Sequence, residues 1–218
     1  MIIETLEEEF LVSNCYIVGC EESKKAMVID PSAKASTILN TARKFGLSIS
    51  TIVATHTHPD HIPSLAQVWD ETGAEYLLHE YEKTGGFMQS IGRLMSLKQA
   101  RSLKAPPKPD RLLRDGDTIK VGNLRFIVLH TPGHTAGGIS LAGHGVVFTG
   151  DTLFNGGIGR FDFPGMSYGW LMDSICQKLM TLPDETKVYP GHGPATTIGY
   201  EQEHNTFIQS WRDRERQP

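Results

Sequence analysis

Short apolar runs rich in β-branched residues alternate along the chain with segments of helical periodicity. In the first part of the chain, the runs that predict strands cover residues 10–18, 26–29, 52–54 and 75–78. Apolar positions with helical spacing cover residues 36–45, a segment that Gly46 closes, and residues 62–72. This order of strands and helices is typical of an α/β protein built from βαβ units.

The same alternation resumes after a different segment at residues 80–110. Residues 80–104 have helical character and lead into the proline-rich stretch 105–110, which is typical of a linker. Beyond it, strands are predicted over 117–121, 124–129, 139–141, 146–149 and 187–189, and helices over 168–180 and 200–213. We therefore expect one domain over residues 1–218, with a helical insertion at about 80–110.

The composition excludes several classes of protein. Of the 218 residues, 39% are hydrophobic and 21% are charged, so the chain can build a sizeable core and is not disordered as a whole. The net charge of −4 argues against nucleic acid as the main partner, because phosphate binding needs a concentrated basic surface. The three cysteines are too few for a disulfide framework.

The apolar stretches of the chain favour a cytoplasmic protein without a membrane partner. The first residues turn acidic at once and lack the basic start and long apolar stretch of a signal peptide. Residues 126–150 contain no Asp, Glu, Lys or Arg, but three histidines, six glycines and a proline in that stretch argue against a membrane span.

Histidines and aspartates follow four of the predicted strands. They are His56, His58, Asp60 and His61 after 52–54, His134 after 124–129, Asp151 after 146–149 and His192 after 187–189. Because sites in α/β sheets gather outside the carboxyl ends of strands, we expect these side chains to meet in one place. Imidazole and carboxylate donors suit Zn²⁺ first, with Fe or Mn as alternatives, and no cysteine belongs to the set.

The spacing of the first two histidines predicts one metal ion. In an extended backbone, residues two apart point the same way, so His56 and His58 can present two imidazoles to the same ion. His134 would complete a set of three imidazoles around it.

A second metal ion is expected beyond Pro59, which turns the chain. Past that turn, Asp60 and His61 can face another ion, and His192 would join them there. Asp151 has two carboxylate oxygens and can bridge both ions. The sequence therefore predicts a dinuclear site with divalent cofactors.

As a set, these donors resemble the signature of the metallo-β-lactamase superfamily. Residues 56–61 read HTHPDH, and His134, Asp151 and His192 follow at the expected places. The resemblance covers essentially the whole chain. It implies an α/β (α+β) fold, an αββα four-layer sandwich of two sheets flanked by helices, with the dinuclear metal site at one edge.

Within that superfamily, the chain is similar to the short bacterial branch of glyoxalase II (hydroxyacylglutathione hydrolase)-like proteins. The segments that carry the similarity are 131–135, 150–154, 159–160 and 189–193. The similarity implies a metal-activated hydroxide that hydrolyses a small-molecule thioester such as a hydroxyacylglutathione. Asp60 would ligate metal and orient the water, and Arg160 would bind a substrate carboxylate through a bidentate pair. Asp162 stands where family members often have tyrosine, which would weaken a second contact to an anionic thiol carrier.

The sequence is also compatible with other activities. Residues 159–163 also resemble a mono-iron persulfide dioxygenase-like group, although Gly191-His192-Gly193-Pro194 differs from the His-Asp-Tyr that this group tends to have. Lactonases and lactamases share the metal ligands but match less well around Arg160. A non-enzymatic scaffold is disfavoured because such proteins usually lose ligands, and all seven are intact.

The remaining histidines are not expected to bind metal. His79, His144 and His204 are predicted to be surface or structural residues. His130 lies four residues before His134 and could orient a ligand from behind.

Overall fold

The computed structural model describes residues 1–7, 13–82, 104–162 and 166–215. The chain forms two compact units, Met1–Leu113 with Lys120–Arg125 and Arg114–Ile119 with Phe126–Pro218. Within the described residues, no helix is both long and apolar enough to cross a membrane. The helix predicted over 80–104 falls largely on 83–103, outside the described residues, so the insertion and the single domain stay predictions.

A six-stranded sheet forms the centre of the first unit. Its strands are β1 (Ile2–Glu7), β2 (Asn14–Gly19), β3 (Lys25–Ile29), β4 (Ser48–Val53), β5 (Glu75–His79) and β6 (Arg111–Leu113). They lie in chain order, antiparallel from β1 to β3 and parallel from β3 to β6. The carboxyl ends of β3, β4 and β5 therefore share one edge of the sheet.

Two helices cover the first sheet, α1 (Ala35–Lys44) and α2 (Leu65–Thr72). Their apolar faces bury Ile38 and Leu65 against strand residues such as Ile17 and Ile52, all at most 1% exposed. The helix predicted over 62–72 begins only at Leu65, because residues 59–64 form turns.

A second six-stranded sheet lies mainly in the second unit. Its strands are β7 (Thr118–Val121), β8 (Leu124–His130), β9 (Ile139–Gly143), β10 (Val146–Gly150), β13 (Lys187–Pro190) and β14 (Thr196–Thr197). A separate hairpin pairs β11 (Leu153–Phe154) with β12 (Gly157–Ile158). The order is β14-β13-β10-β9-β8-β7, with β10 and β13 parallel.

The helices of the second unit are α3 (Tyr168–Gln177), α4 (Ile198–His204) and α5 (Thr206–Glu215), and a 3₁₀ turn, Leu179–Thr181, follows α3. The prediction of one helix over 200–213 is wrong. The chain leaves helical geometry at Asn205 (ψ 110°), whose Oδ1 accepts a hydrogen bond from the Phe207 backbone and so starts the next helix.

Glu201 in α4 is a fully buried carboxylate with a complete set of donors. It accepts hydrogen bonds from the Gly156 backbone (3.0 and 3.2 Å), the Thr196 hydroxyl (2.7 Å) and the Asn205 amide (2.8 Å). These bonds tie the β11–β12 hairpin to α4. Since the carboxylate is buried, its removal leaves several donors without an acceptor.

We expect Glu201→Ala to lower the free energy of unfolding by about 3 kcal/mol. Urea unfolding followed by circular dichroism measures this loss. The matched control is Glu203→Ala on the same helix, because the Glu203 side chain is 78% exposed and should change stability little. Equal midpoints for the two variants would contradict the structural role of Glu201.

Candidate metal centre

The loop after β4 carries the donors of the first unit. β4 ends at Val53, and the chain turns at buried Pro59, where the His61 backbone donates a hydrogen bond to the His58 carbonyl (3.0 Å). His56 and His61 are buried, at 2% and 0% exposure, and their ring centroids lie 4.2 Å apart. The loop thus gathers its imidazoles in a small volume.

Asp30 supports this loop, although the sequence analysis did not single it out. It is 2% exposed, and its carboxylate accepts hydrogen bonds from the Thr55 backbone (2.6 Å), the Thr55 hydroxyl (2.6 Å) and His61 Nδ1 (2.9 Å). Asp30 directly follows β3 with a φ of +48°, a region that non-glycine residues seldom adopt. Asp30 follows an apolar strand, as the predicted ligands do, and this position was the signal that could have identified it as part of the site.

The hydrogen bonds around Asp30 fix the tautomer of His56. The Thr55 hydroxyl donates its only proton to Asp30, so it must accept from His56 Nδ1, which lies 3.1 Å away. The lone pair of His56 is therefore on Nε2. That atom lies 3.0 Å from Nδ1 of His58, as two ligands of one ion would.

His61 has the same arrangement. Its Nδ1 donates to Asp30, so the neutral ring carries its lone pair on Nε2, and that nitrogen lies 3.8 Å from Oδ2 of Asp60. Asp30, His56 and His61 also have donor atoms within 4.8 Å of one another. Because both oxygens of Asp30 are engaged by Thr55 and His61, we assign Asp30 to the support of the imidazoles rather than to a metal.

In the second unit, the structure brings His134, Asp151 and His192 together. Each follows a strand of the second sheet, respectively β8, β10 and β13. Asp151 Oδ2 lies 3.4 Å from Nε2 of His134 and 3.5 Å from Nε2 of His192. One carboxylate oxygen thus lies beside both imidazoles.

A backbone carbonyl fixes the tautomer of His134. Its Nδ1 donates to the Arg160 carbonyl at 2.8 Å, so the neutral ring carries its lone pair on Nε2, beside the Asp151 carboxylate. The Arg160 carbonyl can reach His134 because residue 159 is glycine. A Cβ at Gly159 would lie only 1.8 Å from the Asp151 carbonyl oxygen. Any side chain at that position would displace the segment that carries the Arg160 carbonyl.

These donor sets fit divalent metal ions. A neutral imidazole nitrogen that faces a carboxylate oxygen, as for His134 with Asp151 and His61 with Asp60, is repelled by it unless a proton or a metal ion lies between the two atoms. The opposite nitrogen of His56, His61 and His134 is bonded to a hydroxyl, a carboxylate and a carbonyl respectively, the arrangement that orients metal-ligating histidines.

Arg160, the predicted substrate-binding residue, makes a bidentate pair with Asp162. Its Nε and Nη2 donate to the two carboxylate oxygens at 3.1 and 3.2 Å, and both side chains are more than half exposed. The hydrogen bonds from Arg160 lower the pKa of the Asp162 carboxyl. A substrate carboxylate would therefore compete with Asp162 for the guanidinium.

The four histidines outside the proposed ligand set contact nearby backbone groups or an aromatic ring. His130 Nε2 bonds to the Ala136 carbonyl (3.0 Å), and His204 Nδ1 bonds to the Tyr200 carbonyl (3.1 Å). His79 is buried and accepts a hydrogen bond from the Tyr81 backbone. His144 packs edge-on against Phe126.

Comparison with known proteins identifies the family. The family model described as "Metallo-beta-lactamase superfamily" matches residues 9–192. The chain belongs to the metallo-β-lactamase superfamily. A curated relative, hydroxyacylglutathione hydrolase GloC of Haemophilus influenzae, is 35% identical over 217 residues, which are 96% of this chain and 99% of GloC.

Solved metallo-β-lactamase superfamily structures agree with this assignment. The BLEG-1 B3 metallo-β-lactamase matches with a TM-score of 0.82 at 32% identity, over 95% of this chain and 99% of that one. ETHE1 from Myxococcus xanthus matches at 0.80 and 29% identity, over 100% and 92%. TTHA1623, solved in a di-iron-bound form, matches at 0.79 and 33% identity, over 95% and 100%.

Membership of the superfamily confirms the predicted fold class, an α/β protein of the metallo-β-lactamase fold. The chain is a metallohydrolase of that superfamily, and its His and Asp clusters can bind metal.

Proposed function

We propose that the chain is a dinuclear metallohydrolase that cleaves thioesters of small hydroxy acids. The first ion would be bound by His56, His58 and His134, the second by Asp60, His61 and His192, and Asp151 would bridge them. Zn²⁺ is the expected metal by its preference for imidazole and carboxylate, with Fe or Mn as alternatives. The similar protein TTHA1623 was solved in a di-iron-bound form, which supports iron as an alternative metal.

The observation that carries the proposal is the set of imidazoles whose outer nitrogens are already bonded. The remaining ring nitrogen of each lies beside a further candidate ligand atom: Nδ1 of His58 for His56, Oδ2 of Asp60 for His61 and Oδ2 of Asp151 for His134. The same Asp151 oxygen also lies beside Nε2 of His192. This preorganisation supports ligation because the chain has already oriented the rings. The 35% identity to a relative named hydroxyacylglutathione hydrolase supports a thioester substrate.

The chain's own residues would divide the work of hydrolysis among them. When bound, two divalent ions supply hydroxide at neutral pH and polarise a carbonyl. The Asp60 carboxylate, 22% exposed, would accept a hydrogen bond from the attacking water and orient it. Arg160 would bind a carboxylate of the substrate. The leaving thiolate needs little protonation, because a thiol has a pKa of about 8.5.

The test is thiol release from S-lactoylglutathione by the purified protein, before and after chelation. We expect release that chelation abolishes. Metal-loaded protein that releases no thiol would contradict the proposed substrate.

A mono-iron persulfide dioxygenase-like activity is the second candidate, and it rests on residues 159–163, which resemble that group. Oxygen uptake with glutathione persulfide separates the two activities. Uptake without thioester hydrolysis would favour the dioxygenase, whereas hydrolysis without uptake would favour our proposal.

We expect Asp162→Asn to lower the KM for a carboxylate-bearing thioester about threefold and to leave kcat unchanged, because an exposed ion pair competes only weakly. Steady-state kinetics on S-lactoylglutathione and on a carboxylate-free thioester measure the effect. Exposed Glu185→Gln is the charge-matched control. An equal shift for both substrates would show that Asp162 does not compete for Arg160.

A further inference from the structure

Glu82 contacts the short segment between the first two histidines of the proposed centre. Its Oε2 accepts hydrogen bonds from both the backbone (3.1 Å) and the hydroxyl (2.7 Å) of Thr57. Thr57 is the residue between His56 and His58, whereas Glu82 lies just beyond β5, 25 residues further along the chain. A separate part of the first unit therefore fixes this segment.

The position of Thr57 decides how the two imidazoles meet. His56 is already oriented through the Thr55 hydroxyl and Asp30 on one side. On the other side, the two bonds from Glu82 restrain the backbone that leads from His56 to His58, where Nε2 and Nδ1 lie 3.0 Å apart. One acceptor thus holds both the backbone and the side chain of Thr57, so the restraint acts directly on the link between the two histidines.

The charge of Glu82 also acts in the interior of the unit. Tyr76 is fully buried, and burial raises the pKa of its phenol, with the charges of Glu82 and Asp30 adding to the rise. Glu82 and Asp30 thus both act on the same buried phenol. The two carboxylates support the loop from segments that follow different strands, β5 for Glu82 and β3 for Asp30.

We infer that Glu82 is a positioning residue, which sets the backbone at Thr57 so that His56 and His58 bind one ion together. The inference rests on the proposed dinuclear centre and adds to it a support that lies outside the ligand set. Both bonds end on a single oxygen, so glutamine can accept both with its amide oxygen, whereas alanine can accept neither. This difference separates the hydrogen bonds from the charge.

The test is calorimetric titration of the chelated protein with Zn²⁺ for the wild type, Glu82→Ala, Glu82→Gln and the control Glu75→Ala. Glu75 is an exposed residue at the start of β5. For Glu82→Ala we expect one of two dissociation constants to rise about 10–100-fold, as for other residues that orient ligands, and the other to change little. Glu82→Gln should stay within about threefold of the wild type, since the hydrogen bonds persist.

Thr57→Val removes the hydroxyl bond to Glu82 and keeps the backbone bond, and it replaces Glu82→Ala in the test if that variant fails to fold. It should raise the same dissociation constant by a smaller factor. Wild-type affinity in Glu82→Ala, or an equal loss in Glu82→Gln, would overturn the positioning role. A wild-type protein that binds no Zn²⁺, Fe²⁺ or Mn²⁺ would instead refute the proposed function itself. The two failures are therefore distinguishable.

Discussion

Replacing Asp151 with alanine will remove metal binding and thioester hydrolysis together. The Asp151 carboxylate, 9% exposed, lies within 3.5 Å of Nε2 of both His134 and His192, and we propose that it bridges two ions. Its loss would remove a ligand from each. We expect kcat/KM for S-lactoylglutathione to fall at least about 10³-fold, because the nucleophile and the polarised carbonyl depend on the bound metals.

Metal analysis and thiol-release kinetics on the same preparation measure this result. Asp173→Ala is the control, since Asp173 lies on α3, where it pairs with Gln177. An Asp151→Ala protein that keeps both its metal and its activity would refute the bridging role.

Asp30→Ala will destabilise the first unit more than any exposed substitution. It leaves the Thr55 backbone, the Thr55 hydroxyl and His61 Nδ1 without their buried acceptor, and it places alanine at a φ of +48°. We expect a loss of about 3 kcal/mol of unfolding free energy. For a chain of this length, that corresponds to a fall in Tm of about 6–12 °C.

Differential scanning calorimetry of chelated protein measures the loss independently of metal. Asp30→Asn tolerates the same backbone region and keeps one acceptor oxygen, so it should lose about half as much. Asp70→Ala, at a 43% exposed position on α2, is the surface control. A Tm for Asp30→Ala within 1 °C of the control would contradict this role.

Local pattern was enough to predict most of the strands. The apolar residues of β3, β4, β8, β10 and β13 form short runs, and the structure has each strand within a few residues of its predicted range. The pattern missed β1, where acidic and threonine residues interrupt the apolar positions. It also missed β6, whose three residues are too few to show a period.

Tertiary contacts explain what the pattern could not reach. Asn205 divides the last helix because its amide bonds to Glu201 and to the Gly157 carbonyl, and the second of these partners is distant in sequence. Glu82 supports Thr57 across 25 residues, a relation that no periodicity records. The candidate ligands were predictable because they follow apolar strands. The residues that hold them in place, Asp30 and Glu82, were not predictable, because their contacts depend on which strands are neighbours in the sheet.

The dinuclear hydrolytic centre is tested most directly by titrating chelated protein with Zn²⁺ while thiol release from S-lactoylglutathione is followed. We expect no hydrolysis without metal and a rise in activity that levels off at two ions per chain. Hydrolysis that is undiminished in the metal-free protein, or saturation at a single ion, would contradict a dinuclear hydrolytic centre.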